Sequence, residues 1–503
     1  MEKNHPNILF IMADQMRFDC IGCNGNTIIK TPSLDSLAEK SAIFSSFFIQ
    51  APVCVPSRQT FFTGRYPRSH KNRVNYTEMN DDVTLIQKRL QNNGYKTGFV
   101  GKLHYFPPTM EYALTTGFDH GFIHDAGPTD SYSDYIKWIK SLKNSFSEEN
   151  YRKCKKGTEN PYITKLPSEL HETTWCGEKT RELMKKMSRN EEPFFLFSSY
   201  WKPHSPFEVP EPWATMYDNE EIMIPDEVSE EYINSLPEPV RKLAYREGKK
   251  YFKTGSEEIL WKYRAYYGAV SQIDHEVGLT LELLKELGLE ENTLVVFCSD
   301  HGDMLYGHGL IDKNFFFDEA IHTPFMISYP GIIEPGNYNE LTESTDVLST
   351  IFELCGLEVP YDNQGRSFAG LITKSDNVSK YIQREFVYAE NIIPEVITNE
   401  YIDYRYKKDK GIKGIRHPDA KMIRSRKWKY NYYIDSEELF DLENDPGETE
   451  NLAYLQDYRD VVQKLRKKLL DWMITADESD QIAPGWFSVK SDKGDWEIWD
   501  KWK

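Results

Sequence analysis

No apolar run in this 503-residue chain approaches the ~20 residues that a membrane-spanning helix needs, so no membrane partner is expected. The opening MEKNHPNILFIMADQ lacks the layout of a signal peptide. Its stretch Ile8–Ala13 is too short for an apolar leader core, and no small-residue cleavage site follows. Cysteine is scarce and odd in number, with seven residues scattered at 20, 23, 54, 154, 176, 298 and 355, which argues against a disulfide framework. Both features lead to the expectation of a reducing cytoplasm. Positive charge is in deficit, 61 Lys and Arg against 79 Asp and Glu, for a net −18. That balance argues against nucleic acid and against an anionic membrane, and slightly against a long polyanionic substrate, though a local basic cluster suffices for a small anion. Internal repeats and low-complexity tracts are missing too. Cys20 and Cys23 form a C-x-x-C, but a zinc site needs a second pair at similar spacing and none exists. Two thiols in a loop after the first strand is the plainer reading, with a redox pair as the alternative.

What is present has an ordinary globular composition and enough length to bury a large core. NILFIMAD is a continuous apolar strand of the kind buried in parallel sheets, and it ends at Asp14-Gln15. TPSLDSLAEKS opens with a helix-start signal and sets Leu34, Leu37 and Ala38 at helical spacing. SAIFSSFFIQ reads as a second strand. A helix through Leu85, Ile86 and Leu90 stops near Gly94; a strand over Thr97–Val100 follows, then a loop with Lys102 and His104. Residues 105–175 read as irregular, aromatic and turn-rich. EEPFFLFSSYWKPHSPF is a strand leading into a loop with Lys202 and His204. A long helix closes at Gly288, VVFCSD is a buried strand ending at Asp300-His301, and TPFMISYPG is another strand.

This alternation predicts an α/β fold with a large mixed, mostly parallel sheet sandwiched by helices. Around residues 370–385 the pattern changes to antiparallel-looking strands, a turn at ENDPGE and a helix near Asp457–Met473. The expected division is a domain over 1–375 and a smaller C-terminal α+β unit, with an antiparallel sheet, over 376–503. The Trp-rich tail DWEIWDKWK reads as a docking segment.

In open α/β sheets, sites form at the carboxyl ends of the strands. The residues just past the proposed strands are Asp14 and Gln15, then Cys54 and Arg58, then Lys102 and His104, then His204, then Asp300, His301 and Lys313. Two carboxylates, a carboxamide and an imidazole make a mostly oxygen-donor set suited to a hard divalent ion: Ca²⁺ or Mg²⁺, or Mn²⁺ given the nitrogen. Arg58, Lys102, Lys313, His104 and His204 add positive charge fit for a tetrahedral oxyanion such as sulfate or phosphate. Singly, each residue has an ordinary reading. Asp14 suits a cap or turn, Asp300-His301 a turn, His204 a loop, the lysines a solvated surface and Cys54 a buried thiol. The argument rests on their joint placement.

At these residues the chain resembles the type I sulfatases of the alkaline phosphatase superfamily. The segment Cys54-Val55-Pro56-Ser57-Arg58, continued by QTFFTGRYP, matches the family's C-x-P-S-R maturation signal. PNILFIMADQ, TPSLDSLA, NGYKTGFVGKLH, KPHSPF, VVFCSDHGDMLYGHG and KWKYNYYIDSEELFDLENDPGETENLA match in order, so the resemblance spans residue 6 to about 453. It implies an alkaline-phosphatase-like fold and hydrolysis of a sulfate ester of a sugar or small metabolite. It also implies a maturation enzyme as partner, which oxidises Cys54 to formylglycine, an aldehyde that hydrates to a diol. One diol oxygen attacks sulfur and expels the alcohol; loss of the second hydroxyl's proton then releases sulfate and re-forms the aldehyde. A serine serves the first half of that cycle only.

The roles implied are metal binding by Asp14, Asp300 and His301, with Gln15 at or beside them and residue 54 completing the set. Lys102 and Arg58 hold the diol and sulfate oxygens, and His104 is the base for sulfate release. His204 and Lys313 bind sulfate and protonate the leaving oxygen, and Asn75 faces substrate. Ca²⁺ is the first choice of ion, with Mn²⁺ or Mg²⁺ as alternatives. Asp14-Gln15 and Asp300-His301 depart from the Asp-Asp and Asp-Asn of many sulfatases. The variant also occurs in choline sulfatases and in phosphonate monoester hydrolases. GKLH, with Lys102 and His104, keeps the sulfatase pair that the phosphonate hydrolases replace. A phosphonate or phosphodiester hydrolase and an inactive binding protein are therefore the competing readings. Arg73, Trp201 and Arg416 are loop residues offered for substrate contact. A homo-oligomer is compatible with the sequence.

Overall fold

The computed structural model describes residues 5–75, 77–80, 82–125, 132–142, 162–245, 253–374, 378–392 and 419–476, with two short strands near the C-terminus. Cys154, Arg416 and most of the Trp-rich tail lie outside the described residues. The first ten strands are β1 Asn7–Asp14, β2 Ala42–Phe44, β3 Phe47–Phe48, β4 Lys96–Gly101, β5 His120–Ile123, β6 Phe194–Pro203, β7 Thr293–Ser299, β8 Phe325–Ser328, β9 Gly336–Tyr338 and β10 Thr342–Glu343. Eight of them form one sheet in the order β5-β4-β6-β1-β7-β8-β2-β9. The block β5-β4-β6-β1-β7 is parallel throughout, and β8 alone runs antiparallel to its neighbours β7 and β2.

Every residue of β1 is buried, as expected for a strand with a helical layer on each face. Alternate side chains enter opposite cores. Ile8, Phe10 and Met12 pack with Phe61 and Phe62 of the helix Cys54–Thr63 and with Val347, Leu348 and Ile351 of the helix Asp346–Leu354. Leu9, Ile11 and Ala13 pack with Trp175 and Met184 of the helix Glu172–Met187 and with Val270, Ile273 and Val277 of the helix Ser256–Glu286. The expected mostly parallel sheet between two helical layers is the architecture found.

Four further strands, β11 Val387–Ile392, β12 Asp419–Arg424, β13 Trp428–Tyr433 and β14 Ser436–Asp441, make an antiparallel sheet in sequence order. One face carries Ile423, Tyr430 and Leu439 against Val462, Leu465, Leu469 and Trp472 of the helix Arg459–Thr475. The other face contributes Val387, Ala389, Ala420, Met422 and Phe440 to the first core of the large sheet. The remaining strands, β15 Ser488–Lys490 and β16 Trp496–Ile498, pair antiparallel.

Two expectations are corrected. SAIFSSFFIQ is not one strand: a turn at Ser45-Ser46 splits it, so β2 joins the large sheet while β3 pairs with β10. Residues 105–175 are not wholly irregular, because they hold β5 and the helices Met110–Thr115 and Asp134–Ser141. Cys54, which the sequence reading assigns to no element, is the first residue of a ten-residue helix in which every residue is buried.

Candidate active site

The strands β4, β6, β1 and β7 are adjacent and parallel, so their carboxyl ends share one edge. Neighbouring strands lie about 4.8 Å apart, which brings the residues that follow them within reach of each other. Lys102 follows β4, His204 follows β6, Asp14 ends β1 and Asp300 follows β7. The β1–β6 register shifts between Ala13 and Asp14: Ala13 pairs with Tyr200 but Asp14 with Pro203. This bulge projects Trp201 and Lys202 at the rim, a common way of re-aiming side chains beside a site.

Cys54 enters from the helix Cys54–Thr63, whose N-terminus points at this edge. Its Sγ lies 3.1 Å from His301 Nε2, 4.0 Å from Asp14 Oδ1 and 3.8 Å from Lys102 Nζ. Arg58, one turn further along the helix and fully buried, spreads its fork across the site. Its Nε donates to Asp300 Oδ2 at 2.7 Å, and NH2 to Asp14 Oδ2 at 3.1 Å. NH1 donates to the Lys102 carbonyl at 2.7 Å and to Ser199 Oγ at 2.8 Å. Lys102 Nζ lies 2.5 Å from Asp14 Oδ2.

Burial and Cys54 push Asp14 up, but Lys102, His204 and Arg58 outweigh them and hold its carboxyl below the usual range. Burial likewise opposes ionisation of the Cys54 thiol. Lys102, Lys313 and His301, together with a hydrogen bond from His104, nonetheless hold it well below its ordinary value. An anion at residue 54 is thus favoured by the surrounding charge and by the helix N-terminus.

Asp14, Cys54, Asp300 and His301 each offer one ligand atom, and these atoms lie within 4.8 Å of one another, all on buried residues. His301 Nδ1 lies 2.9 Å from the Gly302 carbonyl, which only accepts, so Nδ1 carries a proton and Nε2 is the ring nitrogen that faces the cluster. Burial disfavours a proton on His301, yet Asp300 and Cys54 raise its affinity for one; a cation at Nε2 competes for the same lone pair. This set fits a hard divalent cation.

Gln15 is beside the cluster, with a left-handed backbone (φ 67°). Its Oε1 accepts from Lys313 Nζ at 2.8 Å, and its Nε2 donates to Asp303 Oδ2. Lys313 also donates to His204 Nε2 at 2.7 Å, while His204 Nδ1 donates to the Ser205 carbonyl at 2.6 Å. His104 is left-handed (φ 60°), with its N–H held by Asp125. Asn75 Oδ1 accepts from the Val55 N–H at 3.0 Å, so it caps the helix that carries Cys54.

A model of the sulfatase family matches residues 6–357. The chain belongs to the sulfatase family. A second model, of the C-terminal part of N-sulphoglucosamine sulphohydrolase, matches residues 307–474. An arylsulfatase of Clostridium perfringens is 28% identical over 92% of this sulfatase and 94% of its own length. A phosphonate monoester hydrolase of Agrobacterium radiobacter shares the fold, with a TM-score of 0.78 at 22% identity over 97% of this chain and 99% of the other. A protein solved in complex with its substrate D-glucosamine-2-N,6-O-disulfate has a TM-score of 0.70 at 20% identity, covering 95% and 99%.

Further side chains surround the candidate site, some of them not singled out from the sequence. Ser199 and Asp125 hold Arg58 and the His104 backbone, and Ser57 Oγ donates to the Asp300 carbonyl at 2.5 Å. Trp201 packs between Lys102, whose Nζ is 5.0 Å from its ring, and His124, at 5.1 Å between centroids. Lys202 is turned away to Glu172, which also binds His124 at 2.6 Å. Ser57 lies in the C-x-P-S-R motif and Trp201 is among the loop residues offered for substrate contact; among the rest Ser199 alone carries a sequence signal, because it falls two residues after the buried Phe197 on β6 and shares its face. Arg73 is engaged by Glu390 and Asp419, each at 2.7 Å.

Proposed function

We propose that this sulfatase hydrolyses a sulfate monoester of a saccharide or other small hydroxylated molecule. Residue 54 is in the formylglycine form made by a maturation enzyme, and one Ca²⁺ is held by Asp14, Asp300 and His301. The observation that carries this reading is the meeting of Cys54 with two buried carboxylates and an imidazole nitrogen, inside a ring of Arg58, Lys102, Lys313, His104 and His204. A hydrated formylglycine supplies an oxygen nucleophile with a second hydroxyl for product release. The cation supplies Lewis-acid polarisation and a lowered hydroxyl pKa.

The chain's own side chains do the rest. Arg58 and Lys102 fix Asp14 and Asp300 and present positive charge to the sulfate oxygens without reorganising. Lys313 has one N–H on Gln15 and one on His204, which leaves a third for the sulfate or the leaving oxygen. The Lys313–His204 pair delivers a proton to the departing alkoxide. His104 lies on the Cys54 side and takes the proton from the residue 54 hydroxyl.

The test is turnover of an aryl sulfate and an aryl phosphonate by one preparation matured at residue 54. The expected result is a much larger kcat/KM on the sulfate and complete loss on Cys54→Ala. A larger value on the phosphonate would overturn the sulfatase assignment in favour of the phosphonate reading. Chelation is expected to abolish turnover and Ca²⁺ to restore it; restoration by Mn²⁺ alone would reassign the ion.

A further inference from the structure

Lys313 lies in a loop whose backbone is left-handed at Leu305, Tyr306, His308, Asp312 and Asn314. At Asp312, with φ 65°, the turn is fixed by the Met304 N–H donating to its carbonyl at 2.7 Å. Asp and Asn are among the few residues that tolerate this conformation. The turn directs two neighbouring side chains differently: that of Lys313 is 7% exposed, and that of Asp312 is 48% exposed. The Asp312 carboxylate remains 3.6 Å from Lys313 Nζ, longer than the two hydrogen bonds that commit the ammonium to Gln15 and His204. Although the Asp312 side chain is half exposed, its surroundings cost it some hydration, which pushes the carboxyl up; Lys313, His204 and His301 outweigh this and hold it below the ordinary range.

The sulfate end of the site is cationic. Beside Lys313 the lining has a different character. A cavity of about 60 Å³ opens beside Asp312 and Lys313, walled by Leu243, Ala244, Ile311 and Phe315. The half-buried Trp201 ring lies 6.3 Å from the His204 ring. An ester held at Lys313 therefore has a carboxylate 3.6 Å from the same ammonium and apolar walls beside it, and the His204 partner of that ammonium has an indole neighbour.

We infer that Asp312 is a specificity-determining residue of the leaving-group side. It favours esters whose alcohol carries a hydroxyl or ammonium group close to the sulfate, and it disfavours alcohols that carry a second anion there. The inference rests on the proposed sulfatase reading and adds the charge class of its substrate. A carboxylate accepts hydrogen bonds from a hydroxyl or ammonium group, and an adjacent indole suits either a sugar face or a cation. The same carboxylate repels a neighbouring carboxylate or sulfate, which is how an interface rejects a wrong partner.

The experiment measures kcat/KM for three matched monoesters, phenyl sulfate, 3-(aminomethyl)phenyl sulfate and 3-carboxyphenyl sulfate, on matured wild type, Asp312→Asn and Asp312→Gly. Both replacements accept the left-handed backbone, so neither is expected to disturb the loop. Wild type is expected to prefer the aminomethyl over the carboxy ester, and each variant to shrink that ratio about tenfold, the size of one screened charge pair. An unchanged ratio in both variants, with phenyl sulfate still turned over, overturns the inference alone. No turnover of any of the three sulfates by wild type overturns the sulfatase reading and the inference with it.

Discussion

Arg58 makes four contacts that one ammonium cannot reproduce, with Asp14, Asp300, the Lys102 carbonyl and Ser199. Its planar fork is fully buried, and burial works against its charge while Asp300 and Asp14 more than offset that penalty. Arg58→Lys keeps the charge but reaches at most one carboxylate, leaving the other buried and unpaired. The expected cost is about 3 kcal/mol of stability, read by denaturant unfolding, together with a kcat loss that added guanidinium partly restores. A variant as stable as wild type would mean that water or an ion replaces the fork. The site residues that were legible in the sequence share one property: Asp14, Lys102, His204 and Asp300 directly follow apolar strands, and strand direction alone carries them to one edge. Asn75 and Asp125 belong to loops with no such anchor. Their contacts with Val55 and His104 depend on how the chain returns, which no local pattern records.

The helix Cys54–Thr63 escaped the sequence reading because it has no polar face. Ser57, Arg58, Gln59 and Thr60 are as buried as Val55 and Phe61, so no 3.6-residue alternation marks it. Its N-cap, Val53, has no side chain able to accept, and the Val55 N–H is satisfied instead by Asn75 from outside the helix. Asn75→Ala should cost about 1 kcal/mol as a lost cap and lower kcat more than it raises KM, because it frees the turn that aims residue 54. Asn75→Asp retains the acceptor and should recover stability. If Asn75→Ala instead raises KM alone, the side chain acts on substrate, as the family resemblance implied. A second constraint lies at the end of β4. Gly101 is left-handed (φ 92°), and a Cβ there would strike the Ser199 carbonyl of β6. Gly101→Ala should therefore part the two strands where Lys102 and Ser199 meet Arg58, with loss of activity exceeding loss of fold by far-ultraviolet circular dichroism.

The C-terminal sheet is tied to the layers of the large sheet through a buried charge cluster as well as through shared core. Lys429 on β13, 0% exposed, lies 2.5 Å from Asp318 and 2.6 Å from Glu448, and Arg424 on β12 reaches Asp318 at 2.9 Å. Asp318 opens the short helix that ends the loop bearing Lys313, so this clamp anchors one end of the site. Two carboxylates share a single lysine. Asp318, with Arg424 and Lys429, stays ionised, whereas burial chiefly, with Asp318 and Glu319 adding to it, pushes Glu448 up to about 8 against the pull of Lys429. In the unfolded chain a glutamate releases its proton near 4.5. Between those two values the folded protein binds a proton that the unfolded chain has lost, so stability must fall as pH rises through this window. The contribution is complete below about pH 4.5 and gone above about pH 8. Wild type should therefore lose more Tm between pH 5 and pH 8 than Glu448→Gln, which carries no titrating proton. Parallel Tm curves for the two proteins would show that Glu448 is ionised throughout, and that Lys429 serves both carboxylates at once.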